Sequence, residues 1–139
     1  MGRRIIDRVT LIDEAATTVH AGYRVTDFRN CVLSVIGSQN CNMKIFVKGA
    51  IGKGEAGDTR PDFTVLSSNR NNSNANWDFI EVVDLEDGAA IDGDDGINLS
   101  GNNVRNFEIN LNAFDWLSVH ATAVIAGTVT VIGAFTTNA

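Results

Sequence analysis

Cys41-Asn42-Met43-Lys44-Ile45-Phe46-Val47-Lys48 is the stretch on which the fold reading turns. Positions 41, 43, 45 and 47 are apolar, while 42, 44 and 48 are polar. Successive side chains of an extended chain point to opposite faces. The segment therefore has a dry face and a wet face, with Phe46 the exception on the wet one. A helix would need apolar residues at three- and four-residue spacing. The same period-two pattern recurs in Phe107-Glu108-Ile109-Asn110-Leu111-Asn112. Over 116–125 it puts Leu117, Val119, Ala121, Ala123 and Ile125 on one side. Over 128–135 it aligns Val129, Val131, Gly133 and Phe135 opposite Thr128 and Thr130.

Further strands are expected at 5–12, 17–26, 30–36, 63–66 and 77–85, with Asn, Asp, Gly and Ser clusters between most of them. Ser38–Asn40 and Ile125-Ala126-Gly127-Thr128 read as tight hairpin turns. The chain has one Pro and no run of helix formers; at most a helical turn is expected near 112–116. Strands this short and closely spaced predict an all-β, single-domain antiparallel β-sandwich, jelly-roll-like, of about 8–10 strands. The 139 residues suit one domain. Residues 1–12 form either an extended amino-terminal arm or the first strand. No repeat of solenoid or propeller length is present.

Composition narrows the function. Hydrophobic residues make up 44% of the chain, a globular value. The net charge of −6 argues against a nucleic-acid partner, which needs clustered cations to neutralise phosphates. The bases are scattered except for Arg3, Arg4 and Arg8, a local basic arm or a solvated tail. No apolar run is long enough to span a bilayer, and no signal peptide is read, so no membrane partner is expected. Cys31 and Cys41 are too few for a disulfide framework. Both sit in the apolar phase of their strands and read as buried free thiols, suited to a reducing compartment.

The motifs that carry chemistry are weak. Gly52-Lys53-Gly54-Glu55-Ala56-Gly57 fits a dinucleotide-binding spacing, but that site needs a helix to follow. Pro61 and the lack of apolar periodicity leave a glycine loop, with no cofactor. Asp92-Gly93-Asp94-Asp95-Gly96 resembles half a calcium loop, and Asp92, Asp94 and Asp95 are the candidate ligands. The twelfth position is Asn103 where an EF-hand has Glu, so a solvated turn is the simpler account. Neither His20 nor His120 belongs to a nucleophile motif, and the His and Cys spacings fit no zinc site. His120 lies in the polar phase of its strand, facing solvent or a subunit contact. Asp78 and Glu81 point to opposite faces of one strand, and Asp78 and Asp84 lie about 20 Å apart along it, so they make no glycosidase pair. No catalytic residue is assigned. Trp77 and Trp116 each begin a strand and could stack on a sugar or a protein partner, or pack on the core rim.

Certain segments resemble the small β-sandwich virion proteins of tailed bacteriophages, which include capsid decoration (cement) and head or tail accessory proteins. They are Trp77 to Leu85, the strand Phe107 to Leu111 and the ending Gly127 to Phe135, with Gly22-Tyr23-Arg24 and Cys31 to Val35 in the same layout. The resemblance implies a non-enzymatic structural protein of the virion, assembled in the host cytoplasm. Its partners would be the major capsid protein or other virion proteins, and it would often be a homotrimer. A tail or carbohydrate-binding attachment module is the alternative. The contact residues expected are Arg3, Arg4, Ile5, Ile6, Arg8, Trp77 and Trp116. The arm could add a strand to a neighbour's sheet edge or be the first strand of its own sandwich.

Overall fold

A computed structural model describes residues 6–51, 76–101, 103–112 and 114–137, apart from the side chains of 76, 77 and 123. Arg3, Arg4, Ile5, the glycine motif at 52–57 and the strand expected at 63–66 lie outside the described residues. The strands are β1 (Ile6–Ala15), β2 (Val19–Arg24), β3 (Asn30–Gly37), β4 (Asn42–Ile51), β5 (Asn76–Phe79), β6 (Val82–Asp84), β7 (Ala90–Ile91), β8 (Ile97–Ser100), β9 (Asn103–Asn110), β10 (Trp116–Ala126) and β11 (Val129–Thr136). No helix occurs among the described residues. Where a helical turn was expected, a reverse turn is closed by the Phe114 amide donating to the Leu111 carbonyl at 2.7 Å.

The strands form two antiparallel sheets, β1-β11-β3-β9-β6-β7 and β2-β10-β4-β5, with β8 also paired to β4. The pairing is nested: β1 with β11, β2 with β10, β3 with β9 and β4 with β8. The chain is thus a long two-armed antiparallel ribbon rolled on itself, and rolling adds the lateral pairs β11·β3 and β10·β4. This is the jelly roll, two packed sheets between which β1 to β4 and β8 to β11 alternate.

The alternation seen in the sequence supplies the core. Cys31, Leu33 and Val35 of β3, Phe107 and Ile109 of β9, and Val129, Val131 and Phe135 of β11 face inward from one sheet. Met43, Ile45 and Val47 of β4, Leu117, Val119 and Ala121 of β10, and Ile97 and Leu99 of β8 meet them from the other. All of these are essentially buried, and each large aliphatic or aromatic side chain contributes about 1.5–3 kcal/mol. Tyr23 closes one margin. Its ring lies 4.7 Å from that of Phe135, and its hydroxyl donates to the Asp7 carboxylate, joining β2 to β1. That hydrogen bond, with burial, pushes the phenol up to about 12.

Three local expectations are corrected. The turns at 38–40 and 125–128 are not hairpins: β3 and β11 lie in one sheet, β4 and β10 in the other. A hairpin would lay two dry faces side by side; crossing between layers lets them face each other and bury more apolar area. The two crossovers are tied together. The Ser38 amide donates to the Thr128 carbonyl at 3.0 Å, and the Thr128 amide donates to Ser38 Oγ at 2.8 Å. Asn40 and Gly127 supply the left-handed backbone these bends need, with φ of 62° and 78°. Third, 77–85 is two strands: β5 belongs to one sheet and β6 to the other, with the break at Ile80–Glu81. Asp78 and Asp84 therefore do not share a strand. The short β7 and β8 carry too few residues to register as alternation, so eleven strands are described where fewer were expected.

Cys31 and Cys41 are buried free thiols, as their phase predicted. They lie in and beside strands of opposite sheets. Burial pushes Cys31 up to about 12 and raises Cys41 as well.

Candidate functional site

The outward face of the β2-β10-β4-β5 sheet gathers the largest set of chemically versatile side chains among the described residues. Register builds it row by row. Trp116 lies between Arg24 and Ala50, Ser118 between Gly22 and Lys48, and His120 between His20 and Phe46, with Thr122 beside Lys44. All occupy the phase opposite to the core-facing Leu117, Val119 and Ala121. Cations rest on aromatic rings here: Arg24 Cζ is 5.7 Å from the Trp116 ring centre, Lys44 Nζ 5.6 Å from Phe46, and Lys48 Nζ 4.5 Å from Phe79. Such contacts stabilise by about 0.5–2 kcal/mol, most when desolvated.

The centre of this face is closed to solvent. Lys48, Ser118 and His120 are each 2% exposed or less, which corrects the expectation that His120 faces solvent. Ser118 Oγ and His120 Nε2 are 2.6 Å apart, and the His20 ring lies 6.0 Å from that of His120. Burial holds His120 down at about 4, helped by the Lys48 charge and then by His20, so the imidazole is neutral at pH 7. Its Nδ1 has no hydrogen-bond partner among the described residues. A hydroxyl bonded to an imidazole is the start of a nucleophilic arrangement, yet here both groups are sealed, and no carboxylate among the described residues orients Nδ1. The unit works as a buried polar tie within β10. The sequence carried one hint of a covered face: Phe46 interrupts the wet phase of β4.

The other expected site residues are dispersed. Trp116 is half-buried at the start of β10. Trp77 lies on β5, and register sets it and Trp116 on either side of Ala50 in β4; the Trp77 side chain is outside the described residues. Ile6, 41% exposed, and the exposed Arg8 lie on β1, which pairs with β11 along the margin of the other sheet. Asp92, Asp94 and Asp95 shape a turn: Asp92 Oδ1 accepts the Asp94 amide at 3.1 Å, and its carbonyl accepts the Asp95 amide at 3.0 Å. Among the described residues no three His, Cys, Asp or Glu side chains gather as metal ligands would. Asp84, nearby, pairs with Arg105 at 2.7 Å, and this hydrogen bond, with one from the Glu86 amide, holds its carboxyl below the usual range.

The jelly roll has close counterparts in phage-encoded proteins. The SPBc2 prophage-derived protein YomS superposes with a TM-score of 0.70 at 11% identity, over 98% of this chain and 96% of YomS. The PBSX exported protein XepA superposes with a TM-score of 0.61 at 14% identity, over 98% of this chain and 39% of XepA. The chain thus matches YomS over nearly its whole length and corresponds to well under half of XepA. No family model and no curated protein matches by sequence. At such identities the likeness is one of fold, with side chains free to differ.

Proposed function

We propose that the chain is a non-enzymatic structural protein of a bacteriophage particle, a decoration or minor capsid protein that binds and stabilises the assembled shell. The observation that carries this reading is the end-to-end fold match with prophage-derived YomS, joined to a partial match with XepA. Three features support it. The polar groups best suited to chemistry, Ser118 and His120, are buried where no substrate reaches them. The large exposed apolar side chains, Ile6, Ile51, Leu85, Val104 and Ile125, are spread over β1, β4, β9, β10 and the turn after β6. Such a distribution suits several modest contacts with neighbours in an assembly better than one deep ligand pocket. Two buried free thiols suit assembly in the reducing cytoplasm of a host.

Mass spectrometry of gradient-purified particles tests the reading. The chain is expected in the particle at many copies, bound to heads freed of tails. Its absence from purified particles would remove the proposal, and its recovery on isolated tails alone would move it from shell to tail. Sedimentation equilibrium of the purified protein is expected to report a trimer.

A further inference from the structure

A second feature lies on the other sheet, where β3 and β9 begin and end together. Arg29, Asn30, Glu108, Asn110 and Asn112 line an open groove of about 280 Å³. Its floor is firm. Asn30 pairs with Asn110 and Val32 with Glu108 in the β3·β9 ladder. The Arg29 amide donates to the Thr136 carbonyl, and the Arg29 carbonyl accepts the Leu111 amide, each at 3.0 Å.

The polar groups are aimed by local bonds. Asn30 Oδ1 accepts the Cys31 amide at 2.8 Å, and Asn110 Oδ1 accepts the Asn112 amide at 3.0 Å. With each Oδ1 engaged by a backbone amide, the NH2 groups of Asn30 and Asn110 remain as donors. The Arg29 guanidinium and the Glu108 carboxylate line the same groove, and among the described residues neither side chain has a hydrogen-bond or ion-pair partner. An oppositely charged pair left apart across a groove, beside two oriented amides, is a set of donors with one strong acceptor.

That set discriminates among ligands. A cation would meet a single carboxylate and the repulsion of Arg29. A phosphate or carboxylate would meet Arg29 and the repulsion of Glu108. An apolar ligand would strand five polar side chains, at roughly 1–3 kcal/mol for each buried group left unpaired. Neighbouring hydroxyls of a sugar both donate and accept, so one can donate to Glu108 while its neighbour accepts from Arg29 or an Asn amide. The volume lies just below the usual range for small-molecule sites, about 300–1,000 Å³, which suits a short glycan unit. We infer that this groove is a binding site for a neutral glycan, recognised through its vicinal hydroxyls by Arg29, Glu108 and the amides of Asn30 and Asn110. With no aromatic ring in the lining, each site binds weakly, and many copies on one particle would supply the avidity. The site does not depend on where in a particle the chain resides.

The test is a side-chain NMR titration of the full-length labelled protein with methyl glucoside, methyl galactoside and N-acetylglucosamine, with inorganic phosphate and calcium chloride as controls. At least one of the sugars is expected to shift the Asn30 and Asn110 NH2 and Arg29 Nε resonances at millimolar concentration. Glu108→Gln and Arg29→Ala, both exposed positions, are each expected to weaken that binding about tenfold or more while the remaining spectrum stays native. Glu81→Gln, an exposed position outside the groove lining, is expected to leave it unchanged. Absence of any sugar response up to solubility overturns the inference. So does a phosphate or calcium response stronger than every sugar's, or sugar binding that survives both groove substitutions.

Discussion

Acidification from pH 7 to pH 5 should destabilise this protein by about 2 kcal/mol through His120. The imidazole is 1% exposed and sits at about 4, against 6.5 for a free histidine. Burial is the main cause, followed by electrostatic interaction with Lys48 and then with His20. Its Nδ1 has no hydrogen-bond partner among the described residues, so a proton added there would be a buried donor left unpaired. The sign follows from proton uptake. The folded pKa lies below the unfolded one, so the contribution of neutral His120 is complete above pH 6.5 and is lost as pH falls towards 4. Between those values the unfolded chain binds a proton that the folded chain refuses, at about 1.4 kcal/mol per pH unit. The loss amounts to about 2 kcal/mol by pH 5 and about 3 kcal/mol by pH 4. Carboxylates also titrate in this range, so the measurement must be a difference. Urea denaturation of the natural chain and of His120→Gln at pH 7 and pH 5 cancels the contributions of the groups both proteins share. Glutamine keeps a polar group near Ser118 Oγ without titrating. The natural chain is expected to lose about 2 kcal/mol more than the variant between the two pH values. Parallel pH profiles would refute the burial and neutrality of His120, and with them the closed outer face.

Other consequences follow from packing. Phe107→Ala removes a fully buried ring from β9 and is expected to cost about 3–5 kcal/mol by urea denaturation; a cost below about 1 kcal/mol would mean the sheets do not meet there. Gly127→Ala places a Cβ 2.6 Å from Cys41 Cα at a φ of 78°, so a loss of about 2 kcal/mol or more in the same assay is expected. Gly101→Ala is the control for left-handed backbone alone, because a Cβ there meets nothing at a φ of 76°; equal losses would discount the contact between the two crossovers. Cys31 and Cys41 are expected to resist a thiol reagent in the native protein and to react fully, both of them, in denaturant without reductant. Failure of either to react after unfolding would expose a disulfide or another modification.

The strands and the core were largely legible in the sequence, because alternation is a local property. Met43, Ile45 and Val47 on β4, and Leu117, Val119 and Ala121 on β10, declare a dry face from neighbours two positions away, whatever the rest of the chain does. The same phase sufficed to bury Cys31 and Cys41 as free thiols. Trp116 was placed at a strand start on the same grounds. The groove residues were not singled out: Arg29 and Glu108 look like ordinary surface charges until β3 and β9 are laid side by side.

The sequence by itself determined that this protein is built of β-strands with one dry face each, since the pleat forces every second side chain to the same side. Only the tertiary structure decided which layer each strand joins. A bend at 38–40 or 125–128 can return a chain within its sheet or carry it across, and the choice depends on apolar area buried far away in sequence. The outer face of β10 shows the same limit. Ser118 and His120 occupy polar positions by phase, but whether water reaches them is a property of the assembled fold. The juxtaposition of Arg29 with Glu108 likewise exists only once the rolled ribbon brings the start of β3 against the end of β9.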